Sequence, residues 1–188
     1  HVTIWVGTYA HGVYVIDGKR PAIIAHHTRP TGILSKSGFV CEILKDGNGV
    51  MWLAGMDGEM RMYERRTGEF KAYPAEPVYA IDEWGDRTLI LACSYGLLTL
   101  DKETKELTVL LTDNMIQDIA VVQDKIWAGS NGGGLFSYNI RTHETEKYDM
   151  HHGVISNYVN SILYTDGYLW LGTDNGLCRF NTIDKTVT

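Results

Sequence analysis

One pattern recurs five times along this chain: an apolar strand carrying a Trp, a Gly two residues later, a polar turn closed by a second Gly, and another short apolar strand. The clearest copy runs from Tyr168 to Asn181. Aligning the closing glycines places Gly12, Gly58, Gly96, Gly134 and Gly176 in one column, at spacings of 46, 38, 38 and 42. Four residues beyond that Gly stands Ile16, Leu100, Tyr138 or Phe180, with Tyr63 in register after one insertion. The next residue is Asp17, Glu64, Asp101, Asn139 or Asn181, and Thr67, Thr104 and Thr142 follow in the next turn. The third copy, Leu89 to Asp101, has lost its Trp.

A period near 40 residues with four short strands per unit predicts an all-β chain of β-propeller blades, each a four-stranded antiparallel sheet. Such a sheet is apolar on both faces, and neighbouring blades cover both. The predicted blades are about 1–30, 38–74, 77–112, 115–149 and 157–188. The first begins in its Trp strand and so lacks an innermost strand. The last ends with a stub of outer strand at Thr186–Thr188, giving about four and a half blades. Trp5, Trp52, Trp127 and Trp170 are read as wedges between sheets. Gly7, Gly129 and Gly172 point the same way on their strands and leave room for a ring or a neighbour.

Composition suits this fold and narrows the partners. Five Trp, eleven Tyr and frequent β-branched residues are strand composition. Twenty Gly against four Pro put the turns on positive φ angles. The formal net charge is −6, and the longest basic clusters, Lys19-Arg20 and Arg65-Arg66, are too short to track a phosphate backbone, so no nucleic acid partner is expected. Cys41, Cys93 and Cys178 are dispersed and read as small buried residues. Asp46-Gly47-Asn48-Gly49 lacks the further carboxylates of a calcium loop and reads as a hairpin turn. The chain starts inside a strand pattern and holds no apolar run of membrane-spanning length. It is therefore expected to be a piece of a longer protein, with any targeting or membrane segment outside it.

Two stretches carry a family resemblance. They are Trp127 to Leu135 and, more closely, Gly153 to Ile162 followed by Leu169 to Leu177. They resemble the two-component regulator propeller repeat, which reads G-L-(S/P)-(S/D)-N-x-V-x-x-I, a turn, then L-W-(I/V/L)-G-T-x-x-G-L. The resemblance implies a fragment of a seven-bladed propeller in the periplasmic sensor region of a hybrid two-component histidine kinase. It further implies a glycan fragment or other small ligand, self-association of the sensor region, no cofactor, and a membrane reached only through segments absent here. The segment itself would not be an enzyme, and no catalytic residues are assigned. Two other classes remain open: a propeller enzyme (a lyase or a quinone-dependent dehydrogenase, whose repeats Tyr63 to Glu69 faintly resemble) and a protein-interaction scaffold.

Blades running from inner to outer strand place two loop sets on one face, and loops on a rigid scaffold are where binding concentrates. The Trp-hairpin turns offer Tyr9, His11, Asp57, Tyr95, Asn131, Asp174 and Asn175 as ligand contacts. The links between blades offer His26, His27, Arg29, His151, His152 and Asn157, while Trp84 falls on the opposite face. Aromatic and amide groups suit sugars, which need stacking and hydrogen bonds. The same Asp, Asn and Gly residues are also what tight turns demand. Adjacent histidines on a strand point to opposite faces and lack a carboxylate partner at a fixed offset, so no metal is expected.

Overall fold

Strand-forming runs separated by positive-φ turns dictate antiparallel hairpins, and the computed structural model consists of them. It describes residues 2–28 and 38–188; Arg29 lies outside the described residues. Five sheets follow one another in sequence order. The first holds β1 (Thr3–Gly7), β2 (Val13–Asp17) and β3 (Ile23–His27). The second holds β4 (Glu42–Lys45), β5 (Met51–Ala54), β6 (Glu59–Glu64) and β7 (Glu69–Pro74). The third comprises β8 (Val78–Trp84), β9 (Thr88–Cys93), β10 (Gly96–Asp101) and β11 (Leu107–Thr112), and the fourth β12 (Ile116–Val122), β13 (Lys125–Ser130), β14 (Gly134–Asn139) and β15 (Thr145–Tyr148). The fifth contains β16 (Val159–Thr165), β17 (Tyr168–Thr173) and β18 (Gly176–Asn181). Its outer edge is extended by the stub at 186–188, where Phe180 bridges Val187 and Arg179 exchanges two backbone hydrogen bonds with Thr188. These are the antiparallel blades of a β-propeller.

Both polar columns of the repeat have a backbone cause. Gly12, Gly58, Gly96, Gly134 and Gly176 all have positive φ, between 76° and 136°, a region closed to most side chains. The Asp/Asn column closes the turn before the outer strand. The side-chain oxygen of Asp17, Asp101, Asn139 or Asn181 accepts from the backbone N–H groups two and three residues ahead. Four residues after this column the chain turns left-handed, at Gly68, Lys105, His143 and Lys185. Three of those four are not glycine.

The chain divides into two compact units, His1–Tyr79 and Ala80–Thr188. In the first, Trp5 of β1 packs edge-on against Tyr63 of β6 at 4.9 Å and Phe70 of β7 at 6.3 Å. Val40, just before β4, covers Gly7: a Cβ on Gly7 would lie 2.8 Å from Val40 Cγ1. The Asp46–Gly49 segment is the hairpin turn between β4 and β5. There the Asp46 carboxylate accepts from the Asn48 and Val50 N–H groups and from Trp52 Nε1 at 2.9 Å, anchoring the buried indole.

The second unit shows how consecutive sheets are joined. Ile90 and Ala92 of β9 pack with Ile116 and Ile119 of β12 and with Phe136 and Tyr138 of β14. Across the next seam Trp127 meets Val159, Leu169, Leu171 and Phe180, with its ring 5.4 Å from that of Phe180. A Cβ on Gly129 would lie 2.7 Å from Val159 Cγ1 and 2.9 Å from the Val159 carbonyl oxygen. Lys185 carries its ammonium to 4.8 Å from the Trp127 ring. Trp127 is thus a wedge. Trp170, its counterpart in the fifth sheet, is partly exposed.

Two substitutions separate packing from backbone geometry. Gly129→Ala must push β16 off β13, and is expected to cost about 1–3 kcal/mol in urea unfolding at unchanged m-value. Lys105→Gly relieves a left-handed non-glycine residue, and should gain up to about 1 kcal/mol in the same assay.

Candidate ligand-binding rim

The inner-to-outer strand order brings hairpin turns and inter-sheet links together, and in the second unit they form one continuous rim. The β13–β14 turn is tied to the link before β16 by the N–H groups of Gly132 and Gly134, both donating to the Asn157 carbonyl at 3.0 and 2.8 Å. Asn157 Oδ1 in turn accepts from the Met150 N–H, so this residue orders the link at both ends. Asn131 bridges Tyr158, and the Asp174 N–H donates to the Tyr158 carbonyl, which brings in the β17–β18 turn. Asn160 Nδ2 donates to Asp174 Oδ1 at 2.6 Å, and Asn175 Nδ2 to the Ile155 carbonyl at 3.2 Å.

The result is an exposed strip of Asn131, Tyr158, Asn160, Asp174 and Asn175. It offers amide donors and acceptors, one carboxylate and an exposed aromatic face held against a rigid backbone. That set suits a neutral polar ligand. Tyr158 and Asn160 were not singled out from sequence. Alternation about the buried Val159 was the available signal, since it turns both outward.

The other predicted contacts are distributed differently. Tyr95 lies half-buried at the β9–β10 turn of the third sheet, where its carbonyl accepts from the Asp113 N–H. In the first unit Tyr9 is exposed, edge-on to Phe39 at 4.3 Å, and the His11 carbonyl contacts His26 Nε2 at 2.8 Å. His26 also stacks on Tyr14, and His27 lies parallel to Trp5 at 6.2 Å.

Two readings need correction. The Asp57 side chain is not a rim contact: it is buried in an ion pair with Arg61, which also reaches Glu59 at 2.9 Å. A buried guanidinium demands such partners, and Asp57 is committed to it. His26 and His27, expected in a link, instead end β3, whereas His151 and His152 do lie in a link. With Met150 they form a 3-10 turn whose first N–H groups are capped by Asp149, and His152 Nδ1 sits 2.8 Å from Asp149 Oδ1. That contact holds the Asp149 carboxyl below its usual range. Among the described residues no group of three or more His, Cys, Asp and Glu side chains gathers as a metal site would require.

The opposite face is a turn surface. Trp84 Nε1 and Arg141 Nε converge on the Asp124 carboxylate at 3.3 and 2.6 Å. Arg87 Nε donates to Asp101 at 2.6 Å, and Asp101 is held at about 2, first by the Thr104 N–H and then by Arg87.

Comparison with known proteins bears on this rim directly. The model described as two component regulator propeller matches residues 153–175, which contain the link, β16, β17 and the β17–β18 turn. The chain carries a two component regulator propeller repeat. That repeat supplies Tyr158, Asn160, Asp174 and Asn175 of the rim.

Solved structures show the same fold. The extracellular domain of a hybrid two component system protein from B. thetaiotaomicron superposes with a TM-score of 0.83 at 23% identity, over 99% of this chain and 26% of that one. The extracellular domain of a one component system protein from the same organism gives 0.81 at 18%, over 94% and 25%. The computationally designed Ika8 protein gives 0.69 at 14%, over 98% and 57%. The chain thus spans about a quarter of the length of the two B. thetaiotaomicron domains. No curated protein matches it.

The electrostatics of the inner strands give a further test. Asp82 Oδ2 accepts from the Val121 N–H, and Asp118 Oδ2 from the Ile162 N–H at 2.7 Å, so each carboxylate latches its sheet to the next. Burial raises both above the usual 3.8 despite these N–H contacts. A folded-state value above the unfolded one means that the native state holds the proton more tightly. Stability attributable to these groups therefore rises as pH falls through the raised values toward 3.8. Asp118→Asn should flatten that rise while retaining an acceptor. Asp118→Ala should cost about 1–2 kcal/mol at neutral pH, because two N–H groups lose their partner. Unfolding followed from pH 4 to 8 checks both.

Proposed function

We propose that this chain is a ligand-sensing propeller segment of the extracytoplasmic region of a hybrid two-component signalling protein, and that its ligand is an oligosaccharide fragment bound on the Asn131–Tyr158–Asn175 rim. The observation that carries this reading is the coincidence of two things in one segment. Residues 153–175 are the two component regulator propeller repeat, and they also furnish most of the exposed aromatic and amide groups of the rim. The extracellular domains of two component and one component systems that share the fold support the same assignment.

The mechanism is recognition without chemistry. Tyr158 supplies a stacking surface for the apolar face of a sugar ring. Asn131, Asn160 and Asn175 supply directional hydrogen bonds, and Asp174, already accepting from Asn160, takes a hydroxyl on its free lone pairs. Two hairpins and one link meet here, so a ligand bridging them favours one arrangement of neighbouring sheets. Paired sensor chains in the periplasm would convert that preference into a bias on a kinase elsewhere in the protein.

Calorimetric titration with a panel of neutral oligosaccharides tests the reading. At least one should bind, and Tyr158→Ala should weaken it about tenfold, equivalent to about 1.4 kcal/mol. Binding unaffected by Tyr158→Ala and by Asn160→Ala would remove the rim from consideration, and a panel without binders would remove the sugar.

A further inference from the structure

The packing that buries Trp127 has a counterpart in the first unit, and the two differ at one residue that supplies a charge. Around Trp127 stand Tyr148 of β15, Phe180 of β18 and Lys185 of the turn after β18. Ring centroids lie 6.0 Å apart for Trp127 and Tyr148, 5.4 Å for Trp127 and Phe180, and 4.8 Å for Tyr148 and Phe180. The Lys185 ammonium completes the set. It sits 4.8 Å from the Trp127 ring and 5.8 Å from the Tyr148 ring, and donates to the Thr182 carbonyl of its own turn at 2.6 Å.

Strand register maps this set onto the first unit. Trp5 pairs with Val15, three residues past Gly12, as Trp127 pairs with Ser137, three past Gly134. His27 pairs with Val13 and Tyr148 with Leu135, in each case the residue just after that glycine. Tyr63 pairs with Met51 and Phe180 with Leu169, in each case the residue just before the Trp of that sheet. The ring spacings follow suit: 6.2 Å for Trp5 and His27, 4.9 Å for Trp5 and Tyr63, and 6.1 Å for His27 and Tyr63. The fourth position breaks the match. The left-handed residue of the turn is Lys185 in one set and Gly68 in the other. Among the described residues, a Cβ on Gly68 would meet only the Tyr63 hydroxyl oxygen within 4 Å, at 3.9 Å. Trp5, His27 and Tyr63 each keep part of their surface in solvent, whereas Trp127, Tyr148 and Phe180 are buried. Phe70 adds a further ring, 5.1 Å from both His27 and Tyr63.

We propose that the Trp5–His27–Tyr63 cluster is a binding site for the alkylammonium group of a small ligand, seated as the Lys185 ammonium is seated over Trp127. An aromatic face attracts a cation through the ring quadrupole, most strongly for Trp. Gly68 brings no side chain, so the charge comes from outside the turn. The Arg65 carbonyl stands three residues before Gly68, as Thr182 stands before Lys185, and is the acceptor for the ligand's N–H groups. Burial and the neighbouring His26 hold His27 below its ordinary range, so at neutral pH it presents an uncharged ring and does not repel a cation. The site shares no residue with the rim of the second unit.

Heteronuclear NMR of the indole N–H groups tests this, with the Trp5 signal assigned by its loss in Trp5→Phe. Titration with n-butylammonium and with glucosamine should move that signal saturably, at millimolar affinity, for at least one of the two. The tighter binder identifies a simple amine or an amino sugar as the source of the group. The uncharged n-butanol and N-acetylglucosamine should bind about tenfold more weakly or not at all. Gly68→Lys should abolish the response by placing its own ammonium on Trp5, and Gly68→Ala should retain it. A Trp5 signal that neither amine moves, or an equal response to the uncharged compounds, would overturn the proposal without recourse to any Gly68 variant. Undiminished binding by folded Gly68→Lys would overturn it as well.

Discussion

Close approach of an inner strand to a glycine on the neighbouring sheet is the contact on which the second unit is built. Val159 can reach β13 only because Gly129 has no Cβ, and that approach brings the Ile162 N–H within reach of the Asp118 carboxylate. Apolar burial supplies the bulk of the favourable energy at such a seam, but it is non-directional. The glycine and the carboxylate supply what burial lacks, a fixed register between one sheet and the next. Trp127 then fills the wedge that opens away from the close contact, with Phe180 and Tyr148 against its ring and the Lys185 ammonium over it.

The rim depends on this register. Asn131 and Tyr158 belong to different sheets, and they meet because the β13–β14 turn donates two N–H groups to Asn157 of the following link. A shift at the Gly129 seam would separate them. Recognition residues placed on turns thereby inherit the rigidity of the sheets beneath. Buried carboxylates at the inner strands are the cost of this arrangement: Asp82 and Asp118 are partly desolvated and titrate high, while their accepted N–H groups keep the strands aligned.

Much of this is legible in the sequence. The five turn glycines were readable because a positive φ excludes most other residues, and all five have it. The Asp/Asn column was readable as a column, although its role as a side-chain acceptor closing each outer turn emerged only with the hydrogen bonds. Other features were not legible. Asp57 resembles a turn residue, and only folding buries it against Arg61. His151-His152 is legible as part of a link, but the 3-10 turn and its Asp149 cap are not. Tyr158 is not legible as a rim residue, because its significance lies in meeting Asn131, a residue 27 positions earlier.

Trp170 marks the boundary between the two kinds of information. It sits in the most recognisable copy of the repeat and satisfies every local requirement of a wedge, yet it is far more exposed than Trp127 in the identical register. Strand period, turn geometry and the choice of residue at each column were determined by the sequence alone, because they depend on backbone conformation within a few residues. Which Trp is buried, which carboxylate latches a neighbour and which amides share a rim were decided by tertiary structure. Those properties belong to pairs of sheets, and they exist only where a second sheet is present to complete them.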